Sequence, residues 1–518
     1  MSAGAESDAV GPLQVAVVGG GISGLSTAWY VEREAAAAGV AVACSVYESS
    51  DRWGGRILTD IIDREEGRFV VEGGPDSFLT TQKPWATDLA VELGLGERLL
   101  GTNDAARKVY VLSKGRPVPL PEGVFLLVPT KFKPFLRSSL ISPAGRLRMG
   151  LEVFVPTRKG EGDETLGDFV TRRLGSEALD KIAEPLLSGI YNAEAQRQSL
   201  LATFPRFRET ELAHGSLIRG MLAEKRRARN AKKRPAAGTH AHTRAGGRPS
   251  SMFASFVDGT EEIVAGLTSA LGPRLRGESR VKSLRPADGG GYVLEVSSRG
   301  SGAGRHGADG IDGVGHEVIR VDAVVLATPA YDAAGLLASV CPDAAAMLDT
   351  IRYVSTGTIS LAYRRDASLE RLGGFGVLVP RSEKRPLNAV TWSSTKFQHR
   401  APEGQSLLRV FFGGSRSPGS MQLDDAELLR VVRRELRSVM GIAEEPLFHR
   451  VYRWEKANAQ YDVEHLRRVE AIEQALPPCI WVTGSPYRGV GLPDCVRQGQ
   501  MTAVQVVERL KSLKRSAL

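Results

Sequence analysis

No apolar run in this chain approaches the roughly twenty residues that cross a bilayer as a helix, which argues against a protein built on such spans. Cysteine is scarce. Cys44, Cys341, Cys479 and Cys495 stand far apart with neither CxxC spacing nor histidine clusters beside them, so no metal site and no disulfide framework is expected. The eight histidines form no recognisable constellation, and two of them, His240 and His242, fall in a basic segment. The opening residues "MSAGAESDAVGP" lack a basic n-region and an apolar h-region, and a strand-like run starts at Leu13, which predicts a cytoplasmic protein.

Acid is missing altogether from residues 225–248, "KRRARNAKKRPAAGTHAHTRAGGR", which hold nine Lys or Arg. The net charge of +9 is therefore carried by this one segment, and the rest of the chain balances to zero. A block rich in Ala, Gly and Pro without apolar periodicity is expected to be a disordered loop. Contact with an anionic membrane surface or with nucleic acid, nonspecifically, is the alternative.

What the sequence does hold is ordinary globular material, 42% hydrophobic and 25% charged, in a chain of 518 residues, longer than one core usually supports. Two or three substructures sharing a crevice are expected. The strand "LQVAVVG", a helix from about Ser23 to Ala38 and the strand "VAVACSVYE" make a βαβ opening. Helices are expected to dominate 84–225. Alternation returns in "RVKSL", "GYVLEVSS" and "HEVIRVDAVVLATPA", the last two separated by a polar glycine-rich excursion. Further strands are predicted in "TGTISLAYR", "GFGVLVP", "NAVTWSS" and "SLLRVFFGG", then a helix over 423–440 and a closing strand, turn and helix.

"VVGGGISGL" places Gly19, Gly21 and Gly24 in GxGxxG spacing between a strand and a helix, the context a dinucleotide turn requires. Phosphate charge would meet the amides of Gly20, Ile22 and Ser23 at the positive helix end. The spacing alone is a weak signal. Glu48 strengthens it, since a carboxylate at the end of the second strand can accept both ribose hydroxyls, with Ser49 beside it. Next comes "ESSDRWGGRI", in which Gly54 and Gly55 precede Arg56. This arrangement resembles the flavoprotein superfamily that includes amine oxidases and carotenoid desaturases, so the expected cofactor is FAD.

"FVVEGGPDSFL", "PLLSGIY", "LATPA", "GFGVLVP" and "YRGVGLPDC", taken together and in this order, closely resemble the porphyrinogen oxidases of haem biosynthesis, and the likeness runs from about residue 13 to the C-terminus. The resemblance implies an α/β (α+β) fold: a Rossmann-like FAD-binding domain, a mixed-sheet substrate domain and a helical membrane-associating domain. The expected segments are FAD-binding parts at 12–83, 251–331 and 451–518, a helical region at 84–225, a basic loop at 226–250 and a substrate sheet at 332–450. By family position FAD is held by Gly19 to Gly24, Glu48, Ser49, Gly55, Arg56, Gly73, Gly74, Pro75, Asp76, Val281, Trp454, Val490, Gly491 and Leu492. The attachment is expected to be noncovalent, because neither Cys479 nor Cys495 lies in the setting of a thioether link.

The implied activity removes six electrons from a porphyrinogen, with O2 as acceptor and H2O2 as product. Coproporphyrinogen III is favoured, with protoporphyrinogen IX as the alternative. An FAD amine oxidase, or a flavin protein that senses rather than turns over, is the more distant reading. No dedicated catalytic side chain is needed, since the flavin takes the hydride. Phe397 is placed by family position to stack on a pyrrole, and Leu361, Leu378 and Trp392 to line the slot, although each is equally a strand-core residue by type. The propionate arginine of plant and animal relatives aligns near Val109, leaving Arg107, Lys108 and Lys83 as candidate cations. The implied partners are the porphyrinogen and O2, with a peripheral membrane contact through Glu122 to Leu136 and a homodimer as further expectations, and no specific nucleic acid.

Overall fold

A computed structural model describes residues 11–121, 124–125, 128–129, 132–160, 162–233, 249, 251–299, 314–365 and 372–516. The strand Leu13–Val18 is buried on both faces, and its alternate side chains go to different cores. Val15 and Val17 pack with the helices Ile22–Ala38 and Leu492–Ser516, through Leu25, Val31, Ala503 and Val507. Ala16 and Val18 pack on the other side with Leu284, Leu294 and Val296. An uninterrupted apolar run is the pattern such a doubly covered parallel strand needs. The sheet around it is five-stranded and parallel, in the order Leu275–Arg276, Val42–Tyr47, Leu13–Val18, Ala323–Leu326, Ile480–Val482. A three-stranded antiparallel meander, Ser279–Pro286, Tyr292–Arg299 and Val314–Val321, covers it.

The second sheet has seven strands, ordered Phe448–Ala459, Tyr353–Arg364, Gln405–Gly413, Ala389–Trp392, Gly376–Leu378, Val109–Ser113, Arg116–Pro119. All neighbours are antiparallel except Gly376–Leu378 with Val109–Ser113. The helix Asp425–Met440 closes one face with Leu428, Val432 and Leu436. It starts with a capping box, Asp424 and Glu427 each bonding the other's backbone.

Helices dominate 84–225 as expected, with short strands set among them. The strands Val109–Ser113 and Arg116–Pro119 lie inside this stretch and complete the second sheet, because "VYVLS" is a β-branched run that gains a partner from a segment more than 250 residues away. Within Glu122 to Leu136 a short ladder, Val124–Phe125 with Val128–Pro129, precedes the helix Phe132–Arg137. The helical lobe beyond is fixed by Arg173, which is fully buried and paired with the buried Glu152 and Glu211.

The basic segment is not wholly a loop. The helix Leu217–Lys233 runs into it, since Lys, Arg and Ala are strong helix formers whatever their charge. Residues 234–248 lie outside the described residues, as do residues 300–313 of the glycine-rich excursion. Among the described residues, no helix is long and apolar enough to cross a membrane.

Candidate functional site

The chain turns sharply at the end of its first strand. Gly19 takes φ +111°, and a Cβ on it would lie 2.7 Å from the Ala327 carbonyl oxygen. At Gly24 a Cβ would overlap the Gly19 carbonyl, so the turn can pack on its helix only with glycine there. Gly21 caps the helix in extended backbone with no side-chain cap, leaving amides at the helix start. A second glycine turn faces it: the Gly54 amide donates to the Gly20 carbonyl at 2.9 Å. The two turns pack backbone to backbone, a Cβ on Gly55 lying 3.2 Å from the Gly21 Cα, whereas a Cβ on Gly21 would meet nothing closer than the Gly55 Cα at 3.9 Å.

Glu48 closes one end of this cradle. Its carboxylate accepts from the Gly20 amide at 2.7 Å and from the Ser50 amide and hydroxyl at 2.8 and 2.9 Å, with the Ser49 hydroxyl at 3.4 Å. The Ser279 amide donates to the Glu48 carbonyl, which brings the strand bearing Val281 alongside. The Thr328 hydroxyl beside Gly19 is buried without a partner.

A third turn, Gly73 to Asp76, is bolted down by side chains from the second sheet. The Trp454 indole donates to the Gly73 carbonyl at 2.8 Å and the Arg409 guanidinium to that of Gly74. Lys396 pairs with Asp76 at 3.0 Å, and Ser77 donates to the same carboxylate at 2.8 Å. Burial works against ionisation of Asp76, but Lys396 and Arg409 outweigh it and hold the carboxyl below the usual range. Burial lowers the pKa of Arg409 and of Arg56, whose guanidinium donates to the carbonyls of Lys456 and Ala457.

The C-terminal turn is held from behind. The Tyr461 hydroxyl accepts from the Gly489 amide and donates to the Ser485 carbonyl, both at 2.8 Å. Its ring stacks on His465 at 3.9 Å, whose Nε2 lies 2.9 Å from the Tyr487 carbonyl oxygen. Burial pushes the pKa of His465 down to about 4, so the ring is neutral at physiological pH. The helix then opens at Leu492, and Asp494 in its first turn pairs with Lys83 at 2.6 Å.

The profile of the family "Flavin containing amine oxidoreductase" matches residues 22–507. The chain belongs to this family. It is 34% identical to the coproporphyrinogen III oxidase of Propionibacterium freudenreichii subsp. freudenreichii, covering 97% of this chain and 93% of that one. With the coproporphyrinogen III oxidase of Bacillus subtilis (strain 168) it shares 32% identity, over 95% and 97%. A crystal structure from Exiguobacterium sp. 255-15, provisionally named a protoporphyrinogen oxidase, superposes with a TM-score of 0.77 at 26% identity, over 96% of this chain and 99% of that one.

As a member of this family the protein is an FAD-dependent oxidoreductase. Its residues fit the group. Bare glycine backbone in two turns packed together, uncapped helix amides, a carboxylate beside them and an orphaned buried hydroxyl are what a flavin dinucleotide would approach and satisfy. Buried Cys495, its thiol pushed up to about 11 by burial, offers little thiolate. Among the described residues no group of three or more His, Cys, Asp or Glu could hold a metal.

The flavoenzyme's seven-stranded sheet separates the slot candidates that the sequence grouped. Leu378 pairs with Ala389, Ala389 with Phe411 and Phe411 with Thr358, so these four share a face, and Arg409 on that face reaches the third turn. Leu361 and Trp392 both pair with Leu408 on the opposite face, where they pack under the helix Asp425–Met440 at 0% and 4% exposure. They are core, not slot: an alternating strand buried on both sides gives no sign of which face is which. Phe397 is 1% exposed, with the Lys396 ammonium and Arg400 guanidinium 5.2 and 5.4 Å from its ring centroid, and so presents no free ring face. Lys83 is tied to Asp494 rather than free, whereas Arg107 and Lys108 are exposed. Sequence reasoning missed Arg409, Lys396 and Phe411; an arginine inside the apolar run "SLLRVFFGG" was the available signal.

Proposed function

We propose that this flavoenzyme oxidises coproporphyrinogen III to coproporphyrin III in haem biosynthesis, three O2 being reduced to three H2O2 as six electrons and six protons leave the substrate. The observation that carries this reading is identity of 32–34% with two named coproporphyrinogen III oxidases across nearly the whole of both chains. When bound, FAD supplies the two-electron acceptor that O2 re-oxidises.

The protein's own part is to shape and charge the site. Thr358, Leu378, Ala389 and Phe411 form one wall that carries no acid or base of its own, which suits a flat apolar ring and release of pyrrole protons to solvent, although the Arg409 guanidinium lies against Phe411 and Thr358. Arg409 stays committed to the third turn and steadies it against this wall. Arg107 and Lys108 adjoin the strand Val109–Ser113, which pairs with the strand of Leu378, and are the proposed propionate anchors. With Lys83 engaged, two cations remain for four propionates, and the preference over protoporphyrinogen IX is correspondingly smaller. Parallel kinetics with both porphyrinogens test this: kcat/KM should be higher for coproporphyrinogen III. The reverse order would transfer the assignment to protoporphyrinogen IX, the second reading, which the name of the Exiguobacterium relative favours.

We further propose a peripheral membrane contact at the inner face of the membrane. Leu136, Leu147 and Phe154, which are 61%, 67% and 77% exposed, project from the helical lobe among Lys133, Arg137 and Arg146. Apolar tips among basic side chains suit the boundary of an anionic bilayer. Sedimentation with anionic vesicles should fall when Leu147 and Phe154 are both changed to Ser; unchanged sedimentation would remove this face from consideration.

A further inference from the structure

Where the chain leaves the strand Gly376–Leu378, a groove of about 680 Å³ opens, away from the glycine turns. Five cationic side chains line it: Arg381, Lys384, Arg385, Arg416 and Arg434. Two buried carboxylates lie behind them, Glu184 holding Arg381 at 3.0 Å and Glu435 holding Arg385 at 3.1 Å. Arg434 is 70% exposed and 3.8 Å from the same Glu435, and Lys384 has no ion-pair partner among the described residues. The neighbouring Glu383 is turned away, accepting the Lys114 and Gly115 amides at 2.7 and 3.0 Å. Five lining cations thus face these two carboxylates and, beside Ser382, Asp180, whose charge also acts on Arg416.

Two details suggest that this imbalance is built rather than incidental. Arg416 is held on the carbonyls of Val379 and Glu184, and burial lowers its pKa, with Arg381 adding to the effect and the charges of Glu184 and Asp180 opposing it. Lys384 takes φ +49°, a left-handed conformation uncommon for a side-chain-bearing residue. Leu387 and Leu423 give the groove apolar wall between its cations. Charge and apolar surface so placed select an anion with a body, not a lone ion.

We propose that this groove is a second binding site, separate from the cofactor cradle, for a small organic polyanion carrying two or more carboxylate or phosphate groups. Lys384 and Arg434 supply its mobile contacts and Arg416 its fixed one. Neither the porphyrinogen reading nor the cofactor assignment is needed for this inference.

Calorimetric titration of the FAD-loaded enzyme with ATP, with coproporphyrin III and with inorganic pyrophosphate tests it. ATP binding, or a second equivalent of coproporphyrin III, should be saturable, and should weaken on the order of tenfold in the double reversal Lys384→Glu/Arg434→Glu. Loss of ATP binding identifies phosphate as the recognised group, and loss of the second porphyrin equivalent identifies carboxylate. FAD content and turnover should be unchanged, and reversal of the distant exposed Arg467 should have no effect. If the double reversal does not fold, Lys384→Gln/Arg434→Gln gives the same comparison. The inference falls if neither organic anion binds at millimolar concentration, if binding ignores the substitutions, or if pyrophosphate binds as tightly as both.

Discussion

The glycine turns and the inner face of the seven-stranded sheet work by opposite means. Around Gly19 to Gly24, Gly54 to Gly55 and Gly73 to Gly74 the protein offers bare backbone, and its side chains act from behind: Glu48 on the Gly20 amide, Arg409 and Trp454 on the third turn. On the sheet face the backbone is used up by ladder hydrogen bonds, and only side chains are presented. A backbone site is intolerant of added atoms, whereas a side-chain wall is tolerant in substance and selective in shape. The two should therefore respond differently to substitution.

The largest effect is expected at the first turn. Gly24→Ala forces a Cβ into the Gly19 carbonyl, and the purified protein should carry little or no flavin by its visible absorbance. A normal flavin content would mean that the turn is not under the steric control argued above.

Arg409→Leu tests whether the two regions are coupled. It strips the Gly74 carbonyl of its donor and removes a cation that balances Asp76, a loss of about 3 kcal/mol by analogy with broken buried pairs. Denaturant unfolding should show that loss, and FAD should dissociate more readily. Lost stability with unchanged FAD affinity would show that the sheet does not steady the turn.

A paired substitution separates the two sheet faces. Leu361→Ala should cost about 2–5 kcal/mol of stability with little change in KM, being core under the helix Asp425–Met440. Leu378→Ala should raise KM with stability nearly intact. Interchange of these outcomes would reverse the assignment of the faces.

The smallest effect concerns pH. The pKa of His465 is pushed from 6.5 down to about 4, so between these values the unfolded chain binds a proton that the folded one refuses. Its stability contribution is full above pH 6.5 and is lost as pH falls toward 4, with a slope of up to about 1.4 kcal/mol per pH unit. His465→Phe should flatten that part of the profile; an unaltered slope would assign it to other groups.

Residue type alone determined the cofactor cradle. A turn with φ above zero or without room for a Cβ needs glycine, and a carboxylate at the end of the next strand lies within reach of that turn, so Gly19, Gly24 and Glu48 announce themselves within a few dozen residues. The tertiary structure alone decided the rest of the site. Leu361 and Leu378 look alike in sequence, and pairing register put one in the core under the helix Asp425–Met440 and the other on the opposite face of the sheet. Lys83 reads as a free cation until Asp494, 411 positions away, comes within 2.6 Å. Backbone constraints are local and survive in the sequence, whereas the facing of a doubly buried strand and the partner of a charge depend on distant segments that meet only in the folded chain.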